Sequence, residues 1–292
     1  MLKTENFKYK MTIDWIEIEI TTFKNSNFNA VRNLFKAYFV EPINPFAGGA
    51  TNQFKFKIHD LSSWKVLEDM ISQANLTKSI SAVKIVAIEI SFDAFSINNN
   101  KEELLEKVAE FYKFNQNPTS ENHRLVGSKK YSPEDTGHLN SNILKMDSGM
   151  SICIGNQDTD SISQRIYYKT IDNNANLPTE LHRARYEVIL RNENLPFHTI
   201  EEAKKYKFTS LAKWFKFRKT DETAIGLAQL IPKAIKQLGK VNMKRRTGGG
   251  VIVNRSGTKA DITLNQIAYE NLRGLTKRLS KTRVTRKLRV TH

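Results

Sequence analysis

Tyr167 lies between two cations at two-residue spacing, in Arg165-Ile-Tyr-Tyr-Lys169, and a second polar run follows, Arg185-Tyr-Glu-Val-Ile-Leu-Arg191. Both runs, and Gly149-Met-Ser-Ile-Cys-Ile-Gly155 before them, are rich in Ile, Val and Tyr and bounded by polar loops, which predicts three β-strands. A strand sends alternate side chains to opposite faces. Arg165, Tyr167 and Lys169 therefore share one face, and Ile166 and Tyr168 the other. In the third run Arg185, Glu187, Ile189 and Arg191 share a face, with Tyr186, Val188 and Leu190 behind it. If the strands pair, cations, a tyrosine and a glutamate line one concave, wet surface suited to a phosphodiester. The same residues also have an ordinary reading, in which the tyrosine packs and the Arg and Glu side chains form a solvated face.

The chemistry open to such a face is tyrosine transesterification. A phenolate attacks a phosphodiester, displaces the 3′-hydroxyl and leaves a 5′-phosphotyrosine, so the strand can be rejoined without a nucleotide cofactor. Tyrosine titrates near about 10 in water, and cations such as Arg165 and Lys169 favour its ionised form. Charge growing on the phosphate oxygens calls for an arginine or a divalent metal, and a hard metal calls for carboxylate oxygens. Glu187 and Glu89 face the same side by alternation and are the candidate ligands for Mg²⁺ or Mn²⁺. Motifs for other chemistries are missing: there is no Walker A loop, no dinucleotide-binding glycine fingerprint, no zincin motif and no Gly-x-Ser-x-Gly elbow, and the six histidines are scattered.

Composition bounds the partners. The chain has 292 residues, 39% hydrophobic and 26% charged, enough for a proper core in one large domain plus an appendage. Its net charge of +16 is carried by the C-terminal third, where residues 201–292 hold 23 Lys and Arg against 6 Asp and Glu. A near-neutral body with a basic end is the footprint of a polyanion, nucleic acid before an anionic membrane surface, since no strongly apolar face accompanies the basic run. Candidate DNA contacts are Lys244, Arg245 and Arg246 in a glycine-rich loop and Lys277, Arg278, Arg283, Arg286 and Lys287 in the tail. No apolar run approaches a membrane span, the N-terminus has no secretory h-region, and Cys153 is the single cysteine, a small core residue by its strand, so a cytoplasmic protein of a bacterial host is expected.

The elements that must position these residues follow in order. Residues 1–10 form a loose basic leader. Strands are expected over 13–20, with Ile16, Ile18 and Ile20 inward, over 53–58, and over 83–93, with Val86, Ile88, Ile90 and Phe92 on one face and Ala87, Glu89, Ser91 and Asp93 on the other. Helices are expected over 25–38, 61–74 with Ser62 or Ser63 as cap, and 101–115. Residues 116–146 are a long polar segment. After the three strands come helices over 199–206, 209–217 (Trp214, Phe215 and Phe217 among cations, base-stacking or core), 222–238, and from about 262 into the basic tail, capped by Asp261. A helix-turn-helix over 222–280 is a minor alternative. The whole is an α+β fold, a largely antiparallel saddle-like sheet with flanking helices, with a catalytic domain over 11–219 and a basic helical DNA-binding region over 220–292.

Arg165-x-Tyr-x-Lys169 followed by Arg185-x-Glu187 resembles the replication initiation factor family, the rolling-circle initiators of small plasmids with relatives in filamentous phages and in relaxases of integrative elements. Ile13-Asp14-Trp15 resembles the family's first strand, and the likeness spans roughly residues 12–220. It implies that Tyr167 is the nicking nucleophile, that Arg165, Lys169 and Arg185 hold or polarise phosphate, and that Glu187 matches the family's glutamate. Glu89 stands where the family has an acidic residue, in Ala87-Ile88-Glu89 rather than Arg-Ile-Asp, and Asn156-Gln157-Asp158 replaces its usual Ser-Arg turn. The resemblance further implies origin DNA as partner, both duplex and single strand, with a homodimer and a host helicase. A relaxase of a mobile element and a non-catalytic DNA-binding regulator are the alternatives.

Overall fold

The computed structural model describes residues 4–35, 39–44, 50–120, 122–126, 149–172, 174–220 and 258–281. Its strands are β1 (Phe7–Asn27), β2 (Phe39–Ile43), β3 (Ala50–His59), β4 (Ile80–Ser96), β5 (His123–Val126), β6 (Ser151–Ile154), β7 (Ile162–Lys169), β8 (Ile171–Asp172), β9 (Ala175–Asn176), β10 (Arg183–Arg191), β11 (Arg218–Thr220) and β12 (Thr258–Ala260). Its helices are α1 (Phe28–Phe35), α2 (Trp64–Lys78), α3 (Lys101–Lys113), α4 (Ile200–Lys205) and α5 (Ile262–Leu279), with a 3₁₀ segment at Phe208–Trp214. Eight strands form one open antiparallel sheet in the order β2-β3-β1-β4-β10-β7-β6-β5. This is the expected α+β architecture, with the three strands of the Arg165 and Arg185 motifs adjacent. No described helix is long and apolar enough to cross a membrane.

The two faces of the sheet differ. One carries Met11, Ile16, Ile18, Phe54, Phe56, Ile88, Ile90, Phe92, Ile166, Tyr186 and Val188 and receives the buried side chains of the five described helices in a single core. Its centre is aromatic: the Phe92 ring lies 5.4 Å from Tyr9, 5.7 Å from Phe111 and 6.1 Å from Phe217. Phe215 and Phe217 are buried there, so the aromatics of that segment are core, while Trp214 is half-buried under the Lys213 ammonium at 4.8 Å. The other face has one small apolar cluster, Trp15, Ala87 and Ile189.

Local chemistry sets the element ends. Ser63, Asn100 and Asp261 cap α2, α3 and α5 by accepting from backbone N–H groups three residues on, and Thr199 with Glu202 closes a capping box on α4. Gly155, at φ +79°, turns the chain after β6, and a Cβ there would lie 2.8 Å from Asp160 Oδ2, which instead accepts from Asn156 N.

Several sequence expectations are corrected. The leader is strand from Phe7 onward, because Phe7, Tyr9 and Met11 continue the apolar alternation onto the core face. Helix α1 starts at Phe28 rather than Asn25, because β1 runs on to Asn27. The segment expected as helix over 209–217 is 3₁₀ and then extended at Phe217. The register of β1 against β4 slips after Glu17, so Ile85 takes the core position expected for Val86. The boundary at 219/220 falls inside β11, and α5 buries Leu264, Leu272 and Leu275 in the same core as the sheet, so this part of the basic region packs with the body. The helix expected over 222–238 and any helix-turn-helix there lie outside the described residues.

Replacing Phe92 by Ala should cost about 3–5 kcal/mol of unfolding free energy, the range for a buried Phe, measured by urea titration. A loss under 1 kcal/mol would mean that the aromatic centre is not packed as described.

Candidate active site

Cross-strand register places the polar residues in rows on the face opposite the helical core. Tyr167, Arg185, Asp93 and Lys10 are successive partners across β7, β10, β4 and β1. The next row is Arg165, Glu187, Ser91 and Thr12, extended outward by Cys153 and Arg124 on β6 and β5. The third is Ser163, Ile189, Glu89 and Trp15. The alternation read from the sequence therefore holds for Arg165, Tyr167, Arg185, Glu187 and Glu89, which all meet on this face. Tyr168 lies in the core on the other side, its hydroxyl 2.8 Å from His182 Nδ1. Cys153 is buried on the site face opposite Arg165, outside the main core where its strand suggested it would lie.

One residue of the cluster was not assigned a role from the sequence. Asp14 brings a carboxylate oxygen within 4.8 Å of those of Glu89 and Glu187. Simple alternation from Ile16, Ile18 and Ile20 assigns it to the core face. The register of β1 against β4 shifts between Ile13 and Trp15, where Ile13 pairs with Ile90 and Trp15 with Glu89. Asp14 is the extra residue of a bulge, which turns both Asp14 and Trp15 to the site face. Its backbone oxygen, freed from the β4 ladder, accepts from Asp60 N at 3.0 Å. The signal was present in the apolar phase: Phe7, Met11 and Ile13 are odd-numbered and Ile16, Ile18 and Ile20 even, so the alternation must break between them.

Hydrogen bonds divide the labour. Glu187, fully buried, accepts from Tyr167 Oη at 2.8 Å, from Arg165 Nε at 2.6 Å and, more weakly, from Arg185 at 3.4 Å. Arg165 also lies 4.8 Å from the Tyr167 ring centre, with a long 3.5 Å contact to its hydroxyl. Arg185 is 2% exposed and donates to both oxygens of Asp93 at 2.6 and 2.8 Å and to Asp14 at 2.7 Å. The guanidinium expected to hold phosphate is thus engaged by carboxylates and fixes their positions. Lys169 is buried at the end of β7 and bridges Asp172 at 2.9 Å.

The ionisation states follow from burial and charge. Burial opposes ionisation of Asp14, but the charge of Arg185, then Lys169, and the Arg185 hydrogen bond bring it down to about 2. Glu89 is pushed well above the ordinary carboxylate range by burial and by the Glu187 charge, against the pull of Arg165. Burial and the Glu187 charge also push the Tyr167 phenol well up, against Arg165 and Arg185. The cations do not win alone, and the phenol stands protonated and donating to Glu187.

The donor set fits a hard divalent cation. Three carboxylates converge with only oxygen to offer, and Glu89 Oε1 is buried without a hydrogen-bond partner. A cation held by Asp14, Glu89 and Glu187 would satisfy that oxygen and offset the burial and the Glu187 repulsion that favour the protonated form of Glu89. Of the candidate DNA contacts, Lys277 is exposed on α5, whereas Arg278 is half-buried and donates to Met11 O at 2.8 Å. Lys244, Arg245, Arg246, Arg283, Arg286 and Lys287 lie outside the described residues.

No family model matches the chain. No curated protein matches it. Among solved structures, a rolling circle replication initiator protein from Geobacillus stearothermophilus aligns with a TM-score of 0.38 at 11% identity, over 92% of this chain and 98% of its own. At that overlap and identity, function rests on the site itself.

The metal-free protein should show two opposite pH effects. Asp14 titrates at about 2 in the fold against an ordinary 3.8, so its stabilisation is complete above about pH 4 and is lost as pH falls towards 2. Glu89 titrates above its ordinary 4.5, so the unfolded chain gives up that proton first and stability falls as pH rises from about 4.5 towards neutrality. Urea titrations across pH should find the second slope. Glu89→Gln should flatten it, raise stability at neutral pH and weaken Mn²⁺ binding more than tenfold by calorimetry. An unchanged slope and affinity would remove Glu89 from the cluster.

Proposed function

We propose that the chain is a metal-dependent nickase that breaks and rejoins one strand of origin DNA through Tyr167, to initiate rolling-circle replication. The observation that carries this reading is the Tyr167 hydroxyl donating to Glu187 at 2.8 Å on the rim of the three-carboxylate cluster. The core tyrosines of neighbouring positions meet neutral groups instead, Tyr186 reaching Trp214 O and Tyr168 the His182 imidazole. The paired Arg165–Lys169 and Arg185–Arg191 motifs support the same reading through their family resemblance.

In the forward step Glu187 takes the phenol proton as the Tyr167 oxygen attacks phosphorus. The new bond joins phosphorus to Tyr167 Oη, the bond to the 3′-oxygen breaks, and that oxygen takes a proton from water as the free 3′-hydroxyl. Rejoining is the reverse, with the 3′-hydroxyl attacking the phosphotyrosine and the phenol leaving. Mg²⁺ or Mn²⁺ held by Asp14, Glu89 and Glu187 would supply a Lewis acid for the phosphate oxygens. Arg165, half-exposed beside the phenol, stabilises the developing phenolate and offers its outer N–H groups to the phosphate. Arg185 acts through Asp14 and Asp93 as a positioning residue. Lys169 adds positive field at the end of the strand. The exposed cations after residue 220, Lys277 among them, bind the origin duplex in this reading, with affinity falling steeply as salt rises.

The test is a cleavage assay with supercoiled DNA carrying the protein's own replicon and Mn²⁺, resolved on a denaturing protein gel with labelled DNA. Wild-type protein should carry label. Tyr167→Phe should carry none while still binding the origin, and Tyr168→Phe should keep the adduct. Asp14→Asn should slow adduct formation by about a hundredfold or more. Label retained by Tyr167→Phe would move the nucleophile elsewhere. No nick or adduct in several metals, with tight origin binding intact, would make the protein a DNA-binding regulator. Cleavage confined to a transfer origin would make it a relaxase.

A further inference from the structure

The site face continues for one row beyond Tyr167. Lys8 faces Phe95 across β1 and β4, Lys10 faces Asp93, and Arg183 faces Lys169 across β10 and β7. The Arg183 guanidinium lies over the Phe95 ring at 5.6 Å. Phe95 is half-buried and belongs to neither apolar cluster, although Phe92 on the same strand is wholly buried in the core. Lys8 and Lys10 are exposed, and neither ammonium has an ion pair or hydrogen bond among the described residues. The carboxylate that faces Lys10 is already paired: Asp93 takes two bonds from Arg185 and lies 3.3 Å from Arg183 Nε.

A row along a strand is about 6.7 Å from the next on the same face, and neighbouring strands lie about 4.8 Å apart. Phe95, one row and two strands from Tyr167, is therefore about 12 Å away across the sheet, within reach of the nucleotides flanking a phosphate at Tyr167. An aromatic ring turned out of the core, bordered by unpaired cations, is the arrangement that stacks a base and neutralises phosphates. A base inside a duplex is already stacked on its neighbours and has no face to offer the ring.

We propose that Phe95, Lys8 and Lys10 form the docking patch for the unpaired DNA strand beside the scissile phosphate, one base stacking on Phe95 and two phosphates meeting the lysines. This rests on the nicking role of Tyr167. It gives the first ten residues, a leader by sequence, a part in substrate binding.

The test uses the full chain, a fluorescein-labelled oligothymidylate and a mixed-sequence blunt duplex, read by anisotropy over a range of salt. Phe95→Ala and Phe95→Leu should each weaken single-strand binding about tenfold and duplex binding less than twofold, and Phe95→Tyr should restore it. Leu keeps apolar bulk beneath Arg183 without a ring face, so the Leu and Tyr variants separate stacking from packing. Lys8→Gln with Lys10→Gln should lower the slope of log affinity against log salt by about 1.4 on the single strand. These surface changes should leave the melting temperature within a few degrees. Unchanged affinities and slope, or equal losses on both DNAs, overturn the patch. An adduct in wild type alongside unchanged variants leaves nicking standing without it. Patch losses with no adduct overturn nicking, and with it the patch's place beside a scissile phosphate.

Discussion

Four carboxylates, those of Asp14, Glu89, Asp93 and Glu187, share one face of the sheet with little or no access to water. Left alone they would repel one another and lose hydration, an arrangement no small protein tolerates. Arg185 makes it tolerable. One guanidinium binds Asp93 through two bonds and Asp14 through a third, and comes within 3.4 Å of Glu187. Arg165 covers the remaining oxygen of Glu187. What is left over is one proton on Glu89 and one bare oxygen, which is the charge deficit a divalent cation would fill. The same arrangement sets the phenol of Tyr167, whose ionisation is opposed first by burial and then by its anionic partner.

The sheet was legible in the sequence wherever the period of two ran unbroken. Tyr167 and Tyr168 were assigned to opposite faces by alternation, and the structure puts one beside Glu187 and the other in the core. Glu89 and Glu187 were paired across strands far apart in sequence by the same argument. Alternation fails where a residue is added to one strand of a pair. Asp14 and Val86 both sit beside such a slip: Val86 was given the core face that Ile85 takes, and Asp14 was given no place in the site. A bulge has no composition of its own. It shows only as a change of phase between two apolar runs, and the run before Ile13 had been set aside as leader.

Residue type misled in a second way. Arginine beside a tyrosine suggests a phosphate ligand, but the number of hydrogen bonds an arginine already makes cannot be read from its neighbours in the chain. Arg165 and Arg185 have similar sequence surroundings. One is half-exposed with donors to spare, and the other is buried with its donors engaged, because Arg185 lies on an inner strand and Arg165 nearer the sheet's edge. Similarly, Phe215 and Phe217 resemble a stacking surface by composition and are core, while Phe95, in a run that is mostly core, faces the site.

The bulge at Asp14 has a consequence for synthesis of the protein. The site joins residues 171 positions apart, Asp14 from the first strand and Arg185 from the tenth, and Met11 O is held by Arg278, 267 positions further along the chain than Met11. A chain emerging from the ribosome in order exposes Tyr167 before Glu187, the carboxylate its hydroxyl meets, and both before the helix that closes on the first strand. Contacts of such separation form late. A nascent or truncated chain ending before β10 therefore holds Tyr167 without Glu187 and Arg185, so the polar cluster is complete only once the tenth strand has been made.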